Sequence, residues 1–221
     1  MDSIQLLPLG DQGVMAYLPD EMAALAFAAA VRRANLSWAV DVVPAYTSIA
    51  VFFDTDRIGL PAAILELQGI EKGSTPGMAL EGRRHRIPCC YEMALDLERI
   101  AGHSRLAVDD IIRLHTSIPY TVYAIGFCPG FPYLGYLPPE LCGVPRLASP
   151  RLRVEPGSVG LTGRQTGIYP EARPGGWNIL GRTPLELVNL KDNYFPLRAG
   201  DRVQFERIDE AEFGRLMGQR L

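Results

Sequence analysis

GFCPGFPYLGYLP (Gly126–Pro138), PRLASPRLRVEPGSVGLTGRQTGIYP (Pro145–Pro170) and PGGWNILGRTP (Pro174–Pro184) decide how this chain is read. The 59 residues from Gly126 to Pro184 hold 11 of the 22 glycines and 10 of the 18 prolines. Pro129-Gly130, Pro156-Gly157 and Pro174-Gly175-Gly176 each suit a tight turn, where Pro presets φ and Gly accepts a positive value. Ser158–Thr162, Trp177–Leu180 and Pro184–Val188 lie among these turns and read as short strands. Tyr120–Phe127 reads as a strand before them. Arg202–Arg207 (RVQFER) follows, with Val203 and Phe205 on one side and Gln204 and Glu206 on the other. Many short strands separated by turn residues predict a barrel or a sandwich.

The same stretch is basic inside an acidic protein. It holds six arginines (Arg146, Arg151, Arg153, Arg164, Arg173, Arg182), no lysine, and three acids (Glu140, Glu155, Glu171), a local charge of 6 − 3 = +3. The whole chain carries −3. Gly-rich turns expose successive backbone N–H groups, which form anion-binding nests. Gly157 and Ser158 open such a turn; Thr162 and Thr166 add hydroxyls, and Arg164 or Arg182 adds a two-toothed charge contact. Gly167 continues the run Thr162–Tyr169, whose Gln165 and Tyr169 make it unusually polar for a barrel core. Tyr169, Trp177 and Tyr133 combine an apolar ring with a polar tip and suit a pocket wall. The residues leave a second reading open, since small barrels need glycine at corners and between close strands. Neither G-x-x-x-x-G-K-[ST] nor a strand-borne G-x-G-x-x-G occurs.

Upstream, the first 80 residues predict a small α/β unit. Gly13–Leu18 reads as a strand, and Asp20 as the N-cap of an Ala-rich helix running to Ala34. Val40–Val43 and Ser48–Phe53 read as strands parted by a turn at Pro44, and Pro61 opens a helix through Leu67. This order matches a ferredoxin-like split βαβ arrangement. Glu71–Gly82 breaks all periodicity and reads as a linker, giving domains of residues 1–75 and 76–221. Beyond it, Arg84–Tyr91 reads as a strand, and Leu95–Ala101 and Val108–Thr116 as helices, with Gly102 at the C′ position of the first. Ile111, Ile112 and His115 fall on one side of the second helix. His115 is the candidate acid or base, or else a buried structural histidine. His85, among Arg83, Arg84 and Arg86, reads as a solvated linker residue and His103 as turn surface.

Composition removes other classes. A net charge of −3 argues against nucleic-acid and anionic-membrane partners. No apolar run approaches the roughly 20 residues of a membrane span. The Ala-rich stretch Ala23–Val31 follows acids rather than the basic residues of a signal peptide, which predicts a cytoplasmic protein. Cys89, Cys90, Cys128 and Cys142 lack C-x-x-C spacing, so no metal site is read here, and reduced thiols in the core are expected.

The three quoted motifs closely resemble the family of 5-oxoprolinase B subunits, also known as the kinase inhibitor KipI or allophanate hydrolase subunit 1 family. The likeness extends through RLHTSIPYTV (Arg113–Val122), LRAGDRVQFERI (Leu197–Ile208), and the N-terminal LGDQGVMAYL and VVPAYTSIAVFF. It implies an α+β N-terminal domain followed by a cyclophilin-like β-barrel. It also implies partnership with a homologous C subunit and an unrelated A subunit, converting 5-oxo-L-proline, ATP and water to L-glutamate, ADP and phosphate. A lactam is a poor electrophile, and phosphorylating its oxygen creates a leaving group before the ring opens. ATP, with Mg²⁺ held mainly by a partner protein, is therefore implied. The family's other names imply two alternatives, inhibition of a sensor histidine kinase and a part in allophanate or urea metabolism. The chain departs from the family pattern at Cys89-Cys90 and at Glu155, which sets an acid beside the expected anion site.

Overall fold

Strand β13 (Arg202–Ile208) shows the alternation read from RVQFER: Val203 and Phe205 are buried and their neighbours are not. In this computed structural model, which describes residues 4–73 and 82–221, the chain forms two compact units, Met1–Glu81 and Gly82–Leu221. Glu71–Gly73 still belong to a helix. The rest of the expected linker, through Glu81, and the boundary expected at 75/76 lie outside the described residues.

The first unit contains β1 (Gln5–Pro8), β2 (Gly13–Tyr17), α1 (Glu21–Arg33), β3 (Ala39–Ala45), β4 (Ser48–Phe53) and α2 (Leu60–Gly73). Asp20 caps α1 as its residue type requires: its backbone is extended and its Oδ1 accepts from the Ala23 N–H at 2.7 Å. Ala24, Phe27, Ala28 and Val31 then face the core with Trp38, Val42, Ile49 and Val51. The strands are antiparallel in the order β1-β2-β4-β3. The sequence reading lacked β1. It also placed the β3–β4 turn at Pro44, which instead pairs with Ile49 inside β3. The two-residue turn is Tyr46-Thr47, with Tyr46 at φ +56°, a value proline's ring forbids.

The second unit contains β5 (Arg84–Cys90), α3 (Leu97–Ser104), α4 (Val108–Thr116), β6 (Tyr120–Ile125), β7 (Pro132–Gly135) and β8 (Arg151–Val154). It continues through β9 (Ser158–Thr162), β10 (Gln165–Ile168), β11 (Arg173–Gly175), β12 (Asn178–Arg182), β13 and α5 (Glu210–Leu216). Seven strands run in the order β6-β13-β5-β12-β9-β10-β7, and β7 pairs with β6 to close a mixed barrel. In it β13 and β5 are parallel and the other neighbours antiparallel. Strands β8 and β11 form a separate ribbon. The interior is filled by Ile87, Tyr91, Ile111, Tyr120, Val122, Leu134, Leu161 and Phe205.

Three further expectations are corrected. Pro184–Val188 is not a strand: Leu187 and Val188 are buried, but the backbone pairs with the C-terminal tail, through Glu186 N–H to Gln219 O at 2.8 Å. Helix α3 runs through Gly102 and ends at Arg105, which takes φ +59°. The helix tolerates a glycine because burying Ile100 outweighs a propensity cost of about 1 kcal/mol. His85 is no solvated linker residue. It lies in β5, and its Nε2 is 3.0 Å from Asp201 Oδ2.

The turn between β8 and β9 depends on Gly157, at φ +81°. A Cβ there would collide with the Thr183 carbonyl oxygen. Gly157→Ala should cost about 2–4 kcal/mol, combining backbone strain with overpacking. Gly69→Ala, on α2 with open space around it, should be neutral or slightly stabilising. Urea denaturation of both variants checks this, and equal midpoints would refute it.

Candidate active site

Strand alternation sorts the expected residues into separate groups. Thr166 turns inward with Leu161 and Ile168, its hydroxyl donating to Gly160 O at 3.0 Å, whereas Thr162 lies buried on the opposite face of β9 and donates to Val144 O at 3.2 Å. Gln165 is half-buried between them. Arg164 is exposed in the β9–β10 hairpin, its guanidinium 4.5 Å from the Tyr136 ring centre. Gly157, Ser158 and Arg182 do meet at one turn, where Arg182 Nε donates to Pro156 O at 2.8 Å. However, the expected anion nest is already occupied by carbonyls. Gly157 N–H donates to Tyr169 O at 2.7 Å and Ser158 N–H to Glu155 O at 3.2 Å. Both backbone N–H groups of this turn are thus spent within the fold, one on a carbonyl of the turn itself and one on Tyr169.

His115 lies wholly inside the barrel, stacked on Phe205 with ring centres 4.5 Å apart. Its Nδ1 is 2.7 Å from the Tyr91 hydroxyl and its Nε2 is 3.0 Å from Thr166 Oγ1. Since Thr166 donates to Gly160 O, the consistent assignment runs in one direction: Tyr91 donates to Nδ1, and Nε2–H donates to Thr166. Burial holds the imidazole neutral and pushes its pKa down to about 3. Both ring nitrogens are used, so His115 is a buried structural histidine. Its ring neighbours Tyr91, Tyr120 and Phe205 belong to a different core cluster from the one against which Cys128 packs.

Gly167, Tyr169 and Trp177 come together in a second cluster with Phe131, Val154 and Ile179. Phe131 is its hub, meeting Tyr133, Tyr169 and Trp177 edge-on at 5.0, 5.2 and 5.5 Å. Gly167 is required for this packing, because a Cβ would press on Phe131 and Trp177 at 3.0 Å each. Phe131, Tyr169 and Trp177 are buried, Tyr133 and Cys128 are half-buried, and Phe127 is 60% exposed at φ +67°. The aromatic cluster therefore surfaces on one face of the barrel.

Two arginines border this face, neither singled out by the sequence beyond its place among the six. Asn178 Nδ2 donates to Pro145 O at 3.0 Å and Leu147 N–H to Gly176 O at 2.8 Å, so Arg146 projects from a loop pinned on both sides. Arg146 is exposed, its charge acts on the hydroxyls of Tyr133 and Tyr169, and among the described residues no carboxylate pairs with it. Arg173 pairs with Glu171 at 2.8 Å and reaches the Cys128 sulfur, while its buried Nε has no acceptor. Burial raises the Cys128 thiol and both phenols, so all three are neutral near pH 7. This face offers a guanidinium, hydrogen-bond donors and aromatic surface, and the carboxylate beside it, Glu171, is paired with Arg173. A separate groove of about 370 Å³, lined by Leu95, Val108, Glu98 and Arg207 among others, contains none of the expected residues. Among the described residues, no group of three His, Cys, Asp or Glu side chains could hold a metal, and no helix is long and apolar enough to cross a membrane.

A small sheet with two helices, followed by a closed mixed barrel bearing an arginine-rimmed aromatic face, defines a two-unit barrel protein. The chain belongs to the family of 5-oxoprolinase B subunits, within the carboxyltransferase domain, subdomain C and D family, whose model matches residues 4–197. It is 35% identical to the B subunit of 5-oxoprolinase from Bacillus subtilis (strain 168), over 95% of each chain. It is 40% identical to that of Escherichia coli O157:H7, over 80% of this chain and 81% of the relative. Among solved structures, TTHA0988 matches with TM-score 0.78 and 35% identity over 90% of this chain, which spans 40% of that chain. The Kluyveromyces lactis urea carboxylase matches with TM-score 0.74 at 18% identity, covering 97% of this chain and 22% of that one, a likeness of fold.

The buried histidine makes the fold acid-sensitive. His115 is neutral when folded and protonates near pH 6.5 when unfolded. Its contribution is therefore complete above pH 6.5 and is lost as pH falls toward 3, by about 1.4 kcal/mol per unit. His115→Gln should be less stable than the parent at pH 7, and the gap should shrink by about 2 kcal/mol at pH 5. Urea unfolding at the two pH values measures it, and a constant gap would overturn the assignment.

Proposed function

We propose that this chain is the B subunit of an ATP-dependent 5-oxoprolinase. With the A and C subunits it converts 5-oxo-L-proline, ATP and water to L-glutamate, ADP and phosphate. The observation that carries this reading is the 35% identity to a 5-oxoprolinase B subunit over 95% of both chains. The site's chemistry supports it. Phosphorylating a lactam oxygen demands positioning and positive charge, and the aromatic face offers a guanidinium and neutral donors in place of a general base.

The division of labour follows from what the chain holds. Glu171 is committed to Arg173, and no carboxylate cluster stands beside the face among the described residues. The residues present do not fit a Mg²⁺ site, so we assign Mg²⁺, and the ATP phosphates it accompanies, to a partner protein. The isolated chain is then inactive. At the level of fold, β4 lying between β2 and β3 and antiparallel to both supports the ferredoxin-like split βαβ reading of the first unit. We read the closed barrel as cyclophilin-like.

Reconstitution tests the proposal. Mixed with its A and C partners, the protein should support 5-oxoproline-dependent ADP release, and omitting any one component should abolish it. Undiminished release without this chain would overturn the reading.

A further inference from the structure

We propose that Arg146 is the specificity-determining contact for the substrate's carboxylate, with the flat lactam ring lying against the exposed aromatic surface of Phe127 and Tyr133. This rests on the reading above, that the substrate is a lactam bearing a carboxylate.

Charge neutralisation singles out Arg146. Of the six arginines between Gly126 and Pro184, Arg151 pairs with Asp96 at 2.7 Å, Arg153 with Glu155 at 2.6 Å and Arg173 with Glu171 at 2.8 Å. Arg164 stacks on Tyr136, and Arg182 is tied to Pro156 O. Arg146 has no such partner among the described residues, and it borders the aromatic face. Its backbone is also held for the purpose. Pro145 O accepts from Asn178, a fully buried residue whose Oδ1 in turn accepts from Arg99 Nε at 2.9 Å. A guanidinium fixed at its base loses less freedom when it binds than one on a mobile loop.

The ligand's chemistry follows from the same groups. One uncompensated guanidinium matches one carboxylate as a two-toothed pair. A triphosphate carries several charges and calls for a nest or a metal. The Gly157 and Ser158 N–H groups are already spent on carbonyls, and the carboxylates for a metal are missing among the described residues. Neutral phenols beside the guanidinium can donate to an anion without repelling it, and the aromatic rings suit a small flat ring.

The test uses the complete three-protein complex. Arg146→Met should raise the KM for 5-oxoproline by about 10–100-fold, the loss of one charge-assisted contact, and leave the KM for ATP within about twofold. Arg146→Lys should fall between, because an ammonium keeps the charge but not the fork. Arg113→Met, a charge-loss control on α4, should change neither constant. Since Arg146 is exposed, the variants should melt with the parent. An unchanged KM for 5-oxoproline, or a rise confined to ATP, would overturn the proposal. A wild-type complex without turnover would overturn the functional reading and this proposal together.

Discussion

Everything in the second unit depends on the insertion of β13 between β5 and β6. The parallel register runs from Arg202 opposite Arg84 to Ile208 opposite Cys90, so residues more than a hundred apart in sequence share one ladder. Asp201 locks its start. That nearly buried carboxylate accepts from Arg83 N–H at 2.9 Å and Arg198 N–H at 3.0 Å, and meets His85 Nε2 at 3.0 Å. A carboxylate taken from water must recover its hydrogen bonds; Arg198 supplies one locally, and those from Arg83 and His85 form only when β13 pairs with β5. Closure thus waits for the last strand, and a barrel dominated by such non-local pairings is expected to fold slowly.

Closure also creates the interior polar chain. Phe205, delivered by β13, stacks on His115, and β10 brings Thr166 to the other side of the imidazole. Tyr120 adds a donor to the His115 carbonyl at 2.9 Å. A buried histidine with one nitrogen unsatisfied would cost more than an apolar residue in its place. Here every ring nitrogen has a partner, so the chain specifies the relative placement of α4, β5 and β10. The ligand-facing chemistry is displaced outward, to the surfaced part of the aromatic cluster.

How much of this was legible depends on where the determinants lie. Helix α1 with its Asp20 cap, helix α4, and strands β9 and β13 were legible because period and capping are local. Strand β7 (PYLG) was hidden by its own proline and glycine, and becomes a strand only through β6 and β10 on either side. Helix α5 was missed although Asp209 caps it through the Glu212 N–H at 2.8 Å; a seven-residue helix carries little periodicity. The site was legible in part. Tyr169 and Trp177 were read as pocket residues and do join the aromatic cluster. The partner of the Gly157 N–H was not legible, because a turn glycine's N–H direction is local but the carbonyl it meets, Tyr169 O, arrives from a distant part of the sequence.

The local charge of +3 takes on meaning once its partners are placed. Two of the segment's acids neutralise arginines beside them, and Asp96 neutralises a third from outside the segment. Three cations remain without an ion pair among the described residues: Arg146, Arg164 and Arg182. A stacked or carbonyl-bound guanidinium is half-satisfied by the fold, which describes Arg164 and Arg182. Arg146 is held by neither device, while the backbone on each side of it is pinned. Fixing the base of an arginine and leaving its head unpaired contributes little to stability, since an exposed cation gains nothing from a rigid loop. The arrangement makes physical sense when the head meets an anion that is not part of this chain.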